Sequence, residues 1–473
     1  MNKIKSIHFV GIKGVGLTPL AIIAKEAGIH VTGSDIAEEF ITDLALKKSG
    51  ITPFVGFDGG HVPAKVDLVI TTGAHGGYDN PEVVAAKARL IPVMTKGEAV
   101  AAFMNGEILG RKFDGIAIAG SHGKTTTSAM LTTIFRESGL DPSYSIGTGS
   151  MGDDILPGHF GKGKFFIAES DEYATEPTHN HKAQFLWLYP EIILITNIEH
   201  DHPDIYHGID DVERVFRTFA SQISQKGFLI GCGDDERVYA MLKSHSGKAI
   251  SYGFSPKNDY SVSRVHVSGA QMFFRMSKED VDLGEFRIGV FGEHNALNAA
   301  GSIAVALESG ISLEKIKAAL SKFTGSKRRL EYKGQLTTGA HVFDDYAHHP
   351  TEIKGTLHSL RQRYPKATII AVFQPHTYSR TKALIDEFTK AFSDANNVII
   401  ADIFASSRES IDSTISSGML VEKLALHHPA VLYLPKLQDI ADLLIQEKLK
   451  DNVVIVFMGA GNIYKIIDTL PLV

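Results

Sequence analysis

Apolar positions along the chain gather in short continuous runs, and most runs are followed by a longer stretch in which apolar residues recur every three or four positions. A buried parallel strand produces the first pattern and a crossover helix the second, so the alternation predicts an α/β protein. SIHFVG (6–11) predicts a first strand, followed by a glycine turn and a helix over about 17–27. VTGSD opens a second unit, and DLVITTG (67–73) is a later strand with a helix starting near NPEV (80–83). GIAIAG (115–120), KFFIAE (164–169) and EIILITN (191–197) carry a second block, and the polar-apolar mixture at 260–276 predicts antiparallel strands. A third block holds ATIIAVF (367–373), NVIIAD (397–402), AVLYL (430–434) and NVVIVFMG (452–459). The rhythm breaks at NGEILGRKFDG (105–115) and at the basic GSKRRLEYKG (325–334), which divides the chain into 1–108, 109–325 and 326–473. No solenoid-type repeat and no low-complexity tract interrupts this order.

Length agrees with that division: 473 residues make roughly three domains at about 150 residues each. Lys and Arg number 48 against 54 Asp and Glu, a net charge of −6, without a run of five like charges. That balance excludes a general nucleic-acid or membrane-surface binder. No apolar run approaches the 18 or so residues of a membrane span. The first residues, MNKIKSIHFVGIKGVGL, have an apolar stretch broken by His8, Gly11, Lys13 and Gly14 and no small-residue cleavage site, so they read as strand and turn. The single cysteine, Cys232, forms no internal disulfide, which fits a reducing, cytoplasmic setting. Monomer and homodimer both remain open.

GSHGKTTT (120–127) stands between an apolar strand and a helical pattern. Backbone N–H groups of such a turn at a helix N-terminus can ring a polyphosphate, Lys124 adds a point charge, and Thr125 can offer its hydroxyl to Mg²⁺. The general P-loop pattern would place glycine where Ile118 stands, so this is the shorter form G-x-x-G-K-T. At the end of the next strand AESDE (168–172) makes Glu169 the natural metal ligand, and TNIEHDHPD (196–204) adds Asn197, His202 and Asp204. Mg²⁺ prefers oxygen, so His202 is either a ligand or a hydrogen-bonding histidine. The N-terminal GIKGVG (11–16), with Asp35 further on, is a weak dinucleotide-type fingerprint of non-standard spacing. It suggests a second site for a pyrophosphate-bearing ligand, or glycines that serve only close packing.

Together GIKGVG, GSHGKTTT, AESDE, TNIEHDH, GEHNALNA (292–299), KRRLE, DDYAHHPTEI (344–353), QPHTYSRT (374–381) and MGAGNIYKI (458–466) stand in the order and at nearly the spacing of the Mur ligases, which the whole chain resembles. The resemblance implies a Rossmann-like N-terminal domain for a UDP-sugar, a central P-loop ATPase domain and a Rossmann-like C-terminal domain for an amino acid. It implies an ATP- and Mg²⁺-dependent ligase and is strongest to the members that join L-alanine to UDP-N-acetylmuramate through an acyl phosphate, in peptidoglycan precursor synthesis. By position in the motifs, it makes Lys124, Glu169, His202, Arg329 and His348 catalytic and gives the metal to Thr125, Glu169 and His202. ATP falls to Gly120, Ser121, His122, Gly123, Lys124, Thr125, Thr126, Asn295, Asn298, Arg329 and Asp345. The sugar nucleotide and amino acid fall to Gly11, Gly14, Val15, Gly16, Asp35, His376 and Arg380. A site split over three domains is complete only when they close, with 105–115 and 325–334 as the expected hinges.

Two stretches depart from the family pattern. DEYATEPTHNHKAQFLWLYP (171–190) is longer than the alanine-adding members have and is similar to those that attach a recycled tripeptide, L-Ala-D-Glu-meso-diaminopimelate. TTGAHGGYDNPE (71–82) replaces a serine-rich version, and GIKGVG with Lys13 fits neither subgroup, whereas QPHTYSRT points back to alanine. A folylpolyglutamate-type ligase would not need the N-terminal glycine loop, and a nicotinamide dehydrogenase, suggested by GIKGVG alone, leaves GSHGKTTT unexplained. Intact Lys124, Glu169 and Arg329 argue against a non-catalytic regulator.

Overall fold

A computed structural model of the chain describes residues 4–152, 154–405, 409–447, 449 and 452–473. Three large sheets follow one another along it. The first has five parallel strands in the spatial order Phe54–Val55, His30–Asp35, Ser6–Val10, Leu68–Thr71, Val93–Thr95, the 3-2-1-4-5 order of a Rossmann unit. Its helix Thr18–Glu26 carries Pro19 in the first turn, where the missing N–H costs nothing, and buries Leu20, Ile22 and Ile23.

The second sheet has ten strands. Its parallel centre places Asp114–Ala119 between Phe165–Glu169 and Ile192–Ile195, each a run of apolar side chains covered on both faces. Beyond Ile192–Ile195 lie Phe228–Cys232 and Lys248–Gly253, which the hydrophobic pattern did not single out. The antiparallel stretch expected at 260–276 is present as Tyr260–Ser268 and Gln271–Lys278, and a third strand, Val281–Ile288, extends it. In Gln271–Lys278 buried Met272, Phe274 and Met276 alternate with more exposed residues, as a half-covered strand requires.

The third sheet has an antiparallel edge, Glu331–Gln335, and then five parallel strands in the order His341–Asp345, Val453–Met458, Thr368–Phe373, Asn397–Ile400, Val431–Tyr433. The sheets are not isolated. A Cβ on Gly149 would lie 2.6 Å from the Ile41 carbonyl oxygen, and the Tyr464 hydroxyl donates to the Glu39 carbonyl at 3.5 Å, so the first sheet's loops touch both other domains. Among the described residues no helix is long and apolar enough to cross a membrane.

Candidate active site

Three neighbouring strands of the central sheet end side by side, which brings Gly120, Glu169 and Thr196 to one edge. The glycine loop that follows is forced into its shape by what surrounds it. Gly120 (φ +134°) has no room for a Cβ against the Thr196 hydroxyl, and a Cβ on Gly123 (φ +82°) would lie 2.5 Å from Asn298 Oδ1. Asn197 clamps the loop from below: its Oδ1 accepts from the His122 amide at 2.9 Å and its Nδ2 donates to the His122 carbonyl at 3.1 Å. The helix Lys124–Glu137 starts without a side-chain cap, so its first N–H groups are left to a ligand.

Charge is concentrated around that turn. The Lys124 ammonium donates to Glu172 at 2.8 and 3.0 Å. Burial opposes its charge, but Glu172 and Asp171 outweigh burial and raise its pKa, while burial raises that of Glu172. Thr125 donates to Glu169 Oε1 at 2.8 Å, and Glu169 Oε2 accepts from the Gly147 amide at 2.7 Å. A hydroxyl and a carboxylate this close form the hard-oxygen pair that suits Mg²⁺. His202, expected with them, has its Nε2 3.8 Å from Glu172 and 3.7 Å from Asp201 and its ring 4.7 Å from Tyr173. The structure thus joins Thr125 to Glu169 directly and groups His202 with Asp171 and Glu172.

The third domain closes over the loop. Arg329 donates to the Thr125 hydroxyl at 3.2 Å. Asn295, Asn298, Arg329 and Asp345 line a cavity of about 170 Å³ together with His122. Asp345 accepts from the amides of Leu330 at 3.0 Å and Ala347 at 2.8 Å, and burial, against the pull of Arg329, moves its pKa up to about 6. His348 is buried neutral, its pKa down at about 4. Arg380 donates to the His376 carbonyl at 2.7 Å, and the His376 ring stacks on Phe404.

Two acidic residues at this seam were absent from the sequence candidates. Glu352 lies 3.4 Å from His122, 3.7 Å from Arg329 and 3.1 Å from His348; burial works against its charge, and these basic neighbours hold its pKa well below the usual range. It also accepts from the His349 amide at 3.2 Å as the third residue of a capping box, and that spacing was readable in HHPTE. Asp201 takes two hydrogen bonds from Arg380, at 2.9 and 2.7 Å, and no local pattern announced that partner.

In the N-terminal domain Gly11 (φ +81°) turns against Thr72, and Asp35 accepts from the Lys13 amide at 2.7 Å and the Ile36 amide at 2.8 Å. Asp35 therefore shapes the glycine loop itself. The Lys13 ammonium points away, to the Glu38 carbonyl at 2.8 Å and Asp43 at 3.5 Å. Gly14, Val15 and Gly16 are half-buried, and the Lys96 stem fills the space where a Gly16 Cβ would stand. The Lys96 ammonium reaches Asp171 at 3.3 Å, next to Glu172, which links the first glycine loop to the second.

The two departures from the family pattern meet each other. Residues 171–190 fold into a hairpin, Ala174–Glu176 with Asn180–Ala183, and a turn of 3₁₀-helix, Gln184–Trp187. Gly73 lies against Pro177, Gly77 (φ +51°) against the Glu176 carboxylate, and Asp79 pairs with His179 at 3.0 Å. The hairpin thus docks against the N-terminal domain.

Three family models cover most of the chain: "Mur ligase family, catalytic domain" matches residues 6–107, "Mur ligase middle domain" 118–306 and "Mur ligase, glutamate ligase domain" 328–461. A UDP-N-acetylmuramate–L-alanine ligase of Desulfitobacterium hafniense is 38% identical over 98% of this chain and 99% of its own. The crystal structure of a UDP-N-acetylmuramate-alanine ligase from Thermotoga maritima is similar with a TM-score of 0.79 and 26% identity, over 98% of this chain and 97% of that one. A murein peptide ligase from Psychrobacter arcticus shares the fold, with a TM-score of 0.71 and 23% identity over 98% of each chain.

Proposed function

The chain belongs to the Mur ligase family, and we propose that it is the ATP-dependent ligase that joins UDP-N-acetylmuramate to L-alanine in peptidoglycan precursor synthesis, with Mg²⁺ at Thr125 and Glu169. A carboxylate is a poor acylating agent and must first be activated. One oxygen of the lactyl carboxylate attacks the γ-phosphorus, the bond to the ADP oxygen breaks, and an acyl phosphate results. The amine of alanine then attacks the acyl carbon, loses a proton, and inorganic phosphate departs as the amide forms.

The first step brings two anions together, and the surrounding cations have to offset their repulsion. Lys124, at the mouth of the phosphate loop, is the charge for the transferring phosphoryl group, and it would exchange Glu172 for phosphate oxygen. Arg329 reaches the same point from the C-terminal domain. Mg²⁺, when bound, supplies further positive charge to the phosphates, and the oxygen pair of Thr125 and Glu169 suits it. Asn295, Asn298 and Asp345 form the wall for the nucleoside, and Gly11, Gly14, Val15, Gly16 and Asp35 shape the turn for the sugar diphosphate. His348, His376 and Arg380 border the amino-acid end.

The observation that carries this reading is Arg329 on Thr125 while Thr125 rests on Glu169, so that groups from two domains converge on one phosphate-sized point. The test is phosphate release by the full chain with ATP, Mg²⁺ and UDP-N-acetylmuramate, supplying L-alanine, glycine, L-serine or the stem tripeptide in turn. L-alanine is expected to give the highest kcat/KM. Preference for the tripeptide would reassign the amine, and release with none of the four would remove the ligase reading.

A further inference from the structure

His122 and His349 pack against each other with their rings tilted by 39° and 4.6 Å between centroids, at the seam of the central and C-terminal domains, with Glu199 beside both. Both rings are buried, with 10% and 7% of the side chain exposed. Among the described residues neither nitrogen of His122 finds a hydrogen-bond partner, nor does Nε2 of His349. The His122 nitrogens instead face carboxylates beyond hydrogen-bond geometry, Nε2 toward Glu199 at 3.5 Å and Nδ1 toward Glu352 at 3.4 Å, so two imidazoles and a shared carboxylate converge without closing on one another.

We propose that His122, Glu199 and His349 form a binding site for a zinc-class divalent cation, distinct from the oxygen pair at Thr125 and Glu169. One donor atom from each residue lies within 4.8 Å of the others. His122 Nε2 and His349 Nδ1 stand 3.5 and 3.7 Å from the same Glu199 oxygen. Ligand bonds of about 2.0–2.2 Å in a tetrahedron place donor atoms roughly 3.4 Å apart, so small side-chain adjustments close the site.

The groups behind the ligands are also suitably placed. Glu352 sits 3.4 Å from His122 Nδ1, where it can hold a proton on that nitrogen and leave the Nε2 lone pair toward Glu199. His349 Nδ1 carries the lone pair that now accepts a long 3.3 Å contact from the Thr351 amide and would exchange that contact for the ion, while the Thr351 hydroxyl orients the Glu199 carboxylate at 2.7 Å. Two imidazoles and one carboxylate favour Zn²⁺ or Co²⁺ over Mg²⁺. Because His349 comes from the C-terminal domain and His122 from the phosphate loop, the ion would pin the domains together at that loop.

The test is calorimetric titration of metal-free full-length protein with Zn²⁺ in excess Mg²⁺, with Co²⁺ as a spectroscopic substitute. One site is expected to outcompete Mg²⁺ and to give the intense visible bands of tetrahedral Co²⁺. His349→Gln and Glu199→Gln should each weaken it at least tenfold, whereas Glu172→Gln, which disables the cluster around His202, should leave it. Unchanged affinity in His349→Gln, loss in Glu172→Gln, or no Zn²⁺ binding by the parent protein would overturn the proposal. Should a variant not fold, X-ray absorption at the zinc edge of the parent protein decides: two imidazoles support the site, and one or none overturns it.

Discussion

Asp201 accepts two hydrogen bonds from Arg380, at 2.9 and 2.7 Å, with both side chains 5% exposed and on opposite sides of the seam between the central and C-terminal domains. The guanidinium, working against burial, holds the carboxyl well below its ordinary pKa. Breaking such a pair from one side strands a buried charge, at a cost of about 3–5 kcal/mol, whereas replacing both partners by apolar groups costs far less. Asp201→Ala should therefore destabilise the docked C-terminal domain by that amount in denaturant unfolding, and Asp201→Leu with Arg380→Met should recover most of it. A loss below about 1 kcal/mol in the single variant would mean that the pair behaves like an exposed one.

Lys124→Ala should lower kcat by at least about 100-fold, the usual effect of deleting one donor aimed at developing charge. The same change leaves Glu172 buried without its cation, so the nucleotide-free variant should also lose stability. Adding Glu172→Gln should restore stability and not turnover. Steady-state phosphate release and thermal unfolding on the same samples separate the two effects.

How much of this was legible in the sequence depends on whether the signal is local. The glycine loop at 120–127, Glu169, Asn295 and Asn298 lie in contiguous motifs, and the structure gathers them around one cavity or one strand edge. The strands Phe228–Cys232 and Lys248–Gly253 were missed because each mixes its few apolar residues with glycine or polar ones, as FLIGC and KAISYG, and follows a polar stretch, so only pairing in the sheet marks them. Asp201 pairs with Arg380 and Glu352 with His122, each more than a hundred residues away in the chain, and such pairing has no periodicity to read, although the capping-box spacing of Glu352 itself is local. His202 is the instructive case: position in a motif assigns it to the metal with Glu169, while the folded chain sets it beside Glu172 and Asp201.

Closure of the three domains is expected to use 105–115 and 325–334 as hinges. Crystals with UDP-N-acetylmuramate and a non-hydrolysable ATP analogue should show domain orientations different from those of ligand-free crystals, with the φ/ψ change confined to those stretches. Superposable orientations would count against it.

Gly77→Ala should separate the sugar site from the ATP site. Gly77 has φ +51° and no space for a Cβ beside the Glu176 carboxylate, so the methyl group disturbs the contact between the hairpin and the N-terminal domain. The KM for UDP-N-acetylmuramate should rise severalfold while the KM for ATP stays within about twofold. Equal changes in both would show that the hairpin supports the whole assembly rather than one domain.

The proton on His122 should be visible as a pH dependence of stability measured in the presence of EDTA. Burial disfavours the imidazolium, but Glu199 and Glu352 outweigh it and take the pKa from 6.5 up to about 10. A group whose pKa is raised on folding stabilises the native state fully below its unfolded pKa, and that contribution fades as pH climbs through the folded value. Between pH 6.5 and 10 the native protein binds the proton that the unfolded chain releases, so the slope is negative and at most about 1.4 kcal/mol per pH unit. Subtracting the unfolding free energy of His122→Gln from that of the parent protein cancels the other titrating groups to first order. The difference should be largest near pH 6 and shrink steadily toward pH 10; a flat difference would mean that the ring is neutral between its two carboxylates.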